Sequence, residues 1–373
     1  MICYLDNAAT TYPKPKCVCR AYRRCLEETP GNAGRSSHKL SVQTAEAIYS
    51  CREAVAELLS FNSPEGVVFT YNATHALNLA IKAYIKNGSH VIISDIEHNA
   101  VVRPLERLKK ENNIEVDVFD SEGDIESSVK KLIKDNTTSI VSTIASNVTG
   151  KTVSLDSLSK IAKTNGLMLI VDASQALGHY EIDLSKTPCD VLCGPGHKGL
   201  YGIQGVGFAV FSDPERKGSL IEGGSGADSI NTEMPYYLPE GYEAGTLGAP
   251  AIYTLKSGVD FVKSVGVSNI EKRLRELTNR LYERISSLPK IRIHSCGNGI
   301  LCFNHESISS SDMASLLDDK SIYVRSGLHC APSAHRKLDT LECGAVRASL
   351  SFLNTTRDID RIYSALKDIT FLY

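Results

Sequence analysis

Between about residue 65 and residue 210, short β-rich apolar runs alternate with stretches whose apolar positions recur every three or four residues. The runs are Gly66-Val-Val-Phe-Thr, Val91-Ile-Ile-Ser, Glu115-Val-Asp-Val-Phe, Ser139-Ile-Val-Ser-Thr, Leu167-Met-Leu-Ile-Val, Asp190-Val-Leu and Gly205-Val-Gly-Phe-Ala-Val-Phe. Between them, 74–86, 101–112, 125–134 and 155–165 predict amphipathic helices. This alternation predicts a seven-stranded, mainly parallel sheet covered by helices on both faces. Ligands of such sheets sit beyond the carboxyl ends of the strands. Thr70, Asp95, Asn147, Asp172 and the 194–198 loop all fall at or just after those ends.

A loop-rich region, 212–248, precedes a long helical stretch expected over Ala249–Leu288. The pattern then shifts to short strands at 291–294, 299–303, 322–325 and 345–350, mixed with helices that include Thr356–Tyr373. This predicts a second, smaller α/β domain whose boundary falls within the long helix. The chain has no internal repeat or low-complexity tract, and at 373 residues it has room for two such cores.

Charge changes the picture by exclusion. The chain has 41 basic and 43 acidic residues, and the basic ones are scattered. Nucleic acid and membrane are therefore not expected partners. No apolar run reaches the roughly 20 residues of a membrane span, and the start Met-Ile-Cys-Tyr-Leu-Asp lacks the features of a secretory signal. The expectation is a soluble, cytoplasmic protein. The eleven cysteines are odd in number and irregularly spaced, which argues against a disulfide framework. Cys17 and Cys19 lie with Cys25 in an expected helix with no partner pair nearby, so no metal site is expected. Cys3, Cys51, Cys189, Cys193, Cys296 and Cys302 read as small core residues.

Candidate chemistry centres on Lys198, in Asp190-Val-Leu-Cys-Gly-Pro-Gly-His-Lys-Gly, where an apolar strand runs into a glycine-rich loop. Asp172 ends the preceding apolar run, and Gln175 follows. A lysine and a carboxylate so placed suit a pyridine aldehyde cofactor: the amine condenses with the aldehyde and the carboxylate keeps the ring nitrogen protonated. Taken singly, Lys198 is a surface charge and Asp172 a helix cap; the pairing carries the signal. Tyr71-Asn-Ala-Thr opens a helix with N–H groups and a hydroxyl suited to phosphate, or to ordinary capping. His98, just past a strand end, could stack a flat ring on the pyridine face. Gly202-Ile-Gln-Gly-Val-Gly precedes a strand, the wrong context for a nucleotide loop.

The second feature is Tyr323-Val-Arg-Ser-Gly-Leu-His-Cys-Ala-Pro. Cys330 follows a Ser-Gly turn among Arg325, His329 and the later Arg347, and cationic neighbours favour the nucleophilic thiolate. Its polar, turn-rich setting contrasts with that of Cys343, which reads as the structural cysteine.

Together these segments resemble the class V aminotransferase superfamily of pyridoxal-phosphate enzymes, fold type I, and within it the cysteine desulfurases with a short active-site cysteine loop. The resemblance runs nearly end to end. It rests on Tyr4-Leu-Asp-Asn-Ala-Ala-Thr-Thr, Gly31-Asn-Ala-Gly-Arg, Glu97-His, Ser146-Asn-Val-Thr-Gly, Val171-Asp-Ala-Ser-Gln-Ala, Gly196-His-Lys, Glu243-Ala-Gly-Thr, Arg325-Ser-Gly-Leu-His-Cys and Val346-Arg-Ala-Ser.

The resemblance implies a large cofactor-binding domain over 16–260 and a small domain formed by 1–15 and 261–373. Lys198 carries the cofactor and moves protons at Cα, Asp172 faces the ring nitrogen, Gln175 meets the phenolic oxygen, and His98 stacks on the ring. Ala73, Thr74 and His197 hold the phosphate, while Thr246 reaches the phosphate of a partner subunit in a homodimer. Arg347, helped by Asn147 and with Arg325 beside it, binds the substrate carboxylate. Cys330 takes sulfur from L-cysteine as a persulfide, releases alanine and passes the sulfur to an acceptor protein or thiol, as in iron–sulfur cluster assembly. A selenocysteine lyase acting on L-selenocysteine, or another class V lyase or aminotransferase, is the alternative.

Three departures from the family pattern stand out. Pro195 and Ala73 replace residues that usually carry phosphate-binding hydroxyls, so backbone N–H groups are expected to do more there. Leu328 replaces the first histidine of the usual His-His-Cys.

Overall fold

The structure, a computed structural model, describes residues 2–34, 36–215, 217–218, 220–226 and 230–373. Seven strands form the main sheet, in the order Val67–Thr70, Gly207–Phe211, Val191–Pro195, Met168–Asp172, Thr137–Thr143, His90–Ser94 and Glu115–Phe119. Gly207–Phe211 runs antiparallel to both its neighbours. All the other pairings are parallel. Alternate residues feed opposite cores, as the two-residue period of a strand requires. Val68, Val91, Val141, Ile170 and Val191 pack beneath Ala73–Tyr84 and Asn99–Asn112. Ile92, Ile140, Leu169, Leu192 and Phe208 face Lys39–Leu58, Leu155–Asn165 and Ala249–Val265. Strands buried on both faces read as continuous apolar runs, which is why the sequence located them.

The long helix expected over Ala249–Leu288 is instead two, Ala249–Val265 and Val267–Ser286. Gly266 separates them at φ +86, a conformation open to glycine. Each half then buries its own stripe, Leu255, Val259 and Val262 in the first, Ile270, Leu274, Leu277 and Leu281 in the second. The apolar period continues across the glycine, so periodicity alone did not reveal the break.

A second, antiparallel sheet places Ile300–His305 between Ile291–Gly297 and Val346–Ser349. The first residues of the chain join this side: Cys3–Tyr4 pairs in parallel with Ile322–Tyr323, and Asp6 bridges to Ser349. The loop that follows Thr137–Thr143 meets the second sheet where Gly150 lies against Gly297. A Cβ on Gly150 would fall 2.8 Å from the Gly297 Cα, and one on Gly297 would fall 2.3 Å from the Gly150 carbonyl carbon. Beside this contact, Ser295 Oγ and Cys302 Sγ both donate to the Val148 carbonyl, at 3.3 and 3.1 Å.

Among the described residues no helix is long and apolar enough to cross a membrane. All eleven cysteines are unpaired. Cys3, Cys51, Cys193 and Cys302 are buried as expected, while Cys189 and Cys296 are only partly so. Cys343, expected to be structural, is exposed, with its thiol against Asn304 and the Gly344 carbonyl. The carboxyl-terminal helix Thr356–Leu372 begins on a reciprocal cap between Thr355 and Asp358.

Candidate active site

The carboxyl ends of the parallel strands open into a cavity lined by Asp172 and Lys198. Asp172 is the last residue of Met168–Asp172, paired in register with Cys193 of the adjacent strand. Lys198 follows that strand by three residues, so topology alone brings carboxylate and amine to one rim. One Asp172 oxygen accepts from the Ser174 N–H at 2.9 Å, which fixes the carboxylate, and the Thr143 hydroxyl holds its carbonyl at 3.2 Å. Removal from water, with Arg347 and Arg325 adding to it against Asp172 and Asp6, pushes the Lys198 amine down to about 8. The consequence is a substantial fraction of free amine at neutral pH, the form that attacks an aldehyde.

The cavity gathers most of the sequence-derived candidates. His98, Asn147, Gln175 and His197 line it, as do Ala73 and Thr74. Ala73 begins the helix Ala73–Tyr84, and Asn72 is its cap, accepting from the His75 N–H at 2.9 Å. His98 caps the next helix, its Nδ1 accepting from the Ala100 N–H at 3.0 Å, and burial lowers its pKa while Asp172 opposes the shift. His197 is pushed to about 4 by burial and by Lys198 and Lys14, so its ring is neutral. Its Nδ1 is buried without a hydrogen-bond partner among the described residues. Gln175 Nε2 donates to the Ala8 carbonyl at 3.0 Å.

Beneath His98, Glu97 is fully buried and pushed up to about 8 by desolvation. It accepts from the Ser94 hydroxyl and, at 2.7 Å, from the Thr143 N–H. A neutral acid here spares the site a second carboxylate close to Asp172.

Arg325, Cys330 and Arg347 come from the second sheet and its loops, and Asn147 links them to the cavity. Its side-chain amide donates to the His329 carbonyl at 2.8 Å, and its own carbonyl accepts from Arg347 Nη1 at 2.9 Å. The Cys330 carbonyl accepts from the Asn99 N–H at 2.8 Å. Cys330 is exposed, at φ +57, with an Arg325 Nη2 3.8 Å from its sulfur. Below it, His329 Nδ1 meets His335 Nε2 at 3.0 Å, and His335 Nδ1 meets Thr340 at 2.8 Å. Burial pushes these histidines to about 3 and about 4, so the chain of rings is neutral.

Three of the expected residues, Thr70, Asp95 and Thr246, do not line this cavity. Thr246 lines a neighbouring depression with Thr70, Tyr71 and His75, exposed and 3.5 Å from the Asn32 amide. Thr70 turns its hydroxyl to the Asn72 carbonyl at 3.0 Å. Asp95 binds Lys337 at 2.6 Å, joining the strand end to the helix Pro332–Lys337. Arg35, from the Gly31–Arg35 motif, lies outside the described residues.

Sequence reasoning missed the clamp on the lysine loop. The His197 carbonyl accepts from Lys14 Nζ at 2.8 Å, from the Thr11 N–H at 3.1 Å and from the Thr10 and Thr11 hydroxyls at 3.2 Å. It also missed the role of the discounted glycine run. A Cβ on Gly207 would fall 2.5 Å from the Asn72 carbonyl carbon and 2.9 Å from the Ala73 nitrogen. The strand therefore passes directly under the turn that opens the Ala73 helix.

The sequence pattern of the aminotransferase class V family matches residues 3–362. The chain belongs to that family. A probable cysteine desulfurase of Methanothermobacter thermautotrophicus is 33% identical, over 98% of this chain and 94% of its own. Among solved structures, the apo form of a cysteine desulfurase from Thermococcus onnurineus superposes with a TM-score of 0.90 at 26% identity, covering 100% of this chain and 95% of the other. A cysteine desulfurase of Escherichia coli, solved in an S-sulfonic acid form, gives 0.90 at 25% identity over 99% and 94%. Family members of this fold work with pyridoxal 5'-phosphate, and the cavity fits it: a half-buried amine lowered to about 8, a fixed carboxylate, an unpartnered neutral histidine and a helix start converge there.

Proposed function

We propose that this chain is a cysteine desulfurase, converting L-cysteine to L-alanine and carrying the sulfur as a persulfide on Cys330. One observation carries the reading. An exposed cysteine beside a guanidinium is tied to the Lys198 cavity, its own carbonyl accepting from the Asn99 N–H and the carbonyl of its neighbour His329 accepting from the side-chain amide of Asn147, which lines the cavity.

When bound, the pyridoxal ring supplies an electron sink at Cα and Cβ of the amino acid. Lys198 would hold the cofactor and move the proton at Cα. Asp172 would hold the cofactor at its ring nitrogen and keep it protonated, Gln175 would serve its phenolic oxygen and His98 its ring face. Ala73, Thr74 and His197 would hold its phosphate, where N–H groups would do the work of the hydroxyls that Pro195 and Ala73 lack. Arg347 grips the substrate carboxylate, with Asn147 and Arg325 at its sides. Cys330 then attacks the substrate sulfur, so that an S–S bond forms as the Cβ–S bond breaks.

The reading also divides the chain into a cofactor-binding body, 16–260, and a unit made of 1–15 and 261–373. It places the protein in the cytoplasm, where eleven unpaired thiols suit a reducing compartment. Thr246, exposed beside the apolar Tyr71 and Ile221, would reach the phosphate of a second copy in a homodimer. The sulfur acceptor is a protein or small thiol.

The deciding experiment measures sulfide and alanine from L-cysteine with a dithiol present. In C330A both products are expected to fall by at least about 100-fold, while the cofactor absorbance stays that of the wild type. Undiminished sulfide release from C330A would refute the mechanism.

A further inference from the structure

Arg347 is only 1% exposed, and a guanidinium held there needs a counter-charge. Asp6 provides it: Arg347 Nη2 lies 2.7 Å from Asp6 Oδ1. Nη1 is taken by the Asn147 carbonyl at 2.9 Å. Nε has no partner among the described residues, although it is buried. A carboxylate binds a guanidinium side-on through Nε and one Nη, in two parallel bonds. The two Nη contacts thus restrain the guanidinium and leave Nε–H, with the second N–H of each Nη, open to a further acceptor.

Asp6 is itself rigidly placed. It bridges to Ser349, two residues beyond Arg347, and its neighbour Asn7 donates to the Ser349 carbonyl at 2.9 Å. The same short segment supplies the Ala8 carbonyl to Gln175 and the Thr11 and Lys14 contacts to the lysine loop.

Resting on the reading of Arg347 as the substrate-carboxylate residue, we propose that Asp6 is a positioning residue for amino-acid recognition: it keeps the Arg347 guanidinium turned so that its Nε edge meets the carboxylate. Asp6 touches the arginine and not the substrate. Its carboxylate also offsets the repulsion between Arg347, Arg325 and Lys198.

The test titrates holoenzyme with L-alanine and with ethylamine, the same molecule without its carboxylate, following the cofactor absorbance, and measures KM and kcat for L-cysteine alongside. For D6N the apparent Kd for L-alanine is expected to rise about tenfold or more, the scale of one weakened charged hydrogen bond. Ethylamine affinity should move less than twofold, and the loss with L-cysteine should lie in KM. An L-alanine Kd that is unchanged or lower overturns the proposal, since Asp6 would then be idle or a competitor of the substrate. Equal losses for both ligands also overturn it, showing a merely structural role. Should D6N not fold, D6E retains the charge at a shifted position and must show the same selective loss; equal losses there count against the proposal. A wild-type protein that binds L-alanine in this Asp6-dependent way yet releases no sulfide supports this inference while defeating the desulfurase reading.

Discussion

On the proposed reading of Lys198 as the lysine that takes the cofactor, the pH dependence of capture follows from where its amine sits. Its amine is pushed from an ordinary lysine value to about 8, chiefly by loss of water, with Arg347 and Arg325 reinforcing the effect. At pH 7 about one amine in eleven is then neutral, against about one in three thousand for an unperturbed lysine near 10.5, roughly a 300-fold gain. The sign for stability is unfavourable at low pH. The folded value lies below the unfolded one, so the protonated amine costs the fold up to about 3 kcal/mol below pH 8, a cost that fades between pH 8 and 10.5. Stripped protein mixed with pyridoxal 5'-phosphate, followed by absorbance, should therefore capture it about fivefold faster at pH 8 than at pH 7, gain less than about twofold more by pH 9, and level off. K198A should show no such capture. A rate that keeps climbing tenfold per pH unit through pH 9.5 would mean an unperturbed amine and refute the reasoning.

Two further perturbations test the scaffold. Arg52 and Glu243 are each only 6% exposed and joined at 2.6 Å, with the Phe69 N–H also donating to Glu243 at 2.6 Å; R52A should cost about 3–5 kcal/mol in chemical denaturation by stranding the carboxylate, and R52M/E243L should recover only part of it, since the Phe69 N–H left without Glu243 keeps a cost of about 1–3 kcal/mol. G207A should push the Asn72–Ala73 turn away and weaken pyridoxal 5'-phosphate binding by about tenfold, corresponding to about 1.4 kcal/mol within the usual range for overpacking. Pyridoxal, which lacks the phosphate, should be less affected in the same equilibrium titration.

The parts of the site that were legible in the sequence are those fixed by strand ends. Asp172 ends, and Lys198 follows by three residues, buried runs that their continuous apolar character identifies, and parallel neighbours must bring such ends together. Asn147 and His98 were found for the same reason. Contacts made across long sequence separation left no periodic trace: nothing in Asp6 announces a partner at Arg347, and nothing in Lys14 announces the His197 carbonyl. Asp95 shows the limit of the strand-end argument. It occupies the expected place but turns to Lys337 instead of the cavity. The helix break at Gly266 was hidden because a glycine within a continuing apolar period is tolerated in helices as well as at their ends.

The paired glycines at 150 and 297 constrain how the chain can change. Each is already the smallest residue available, so enlarging one leaves no compensating reduction to make in the other. Drift at this junction is closed from both directions, and relatives that carry a side chain at either position must have moved one backbone away from the other.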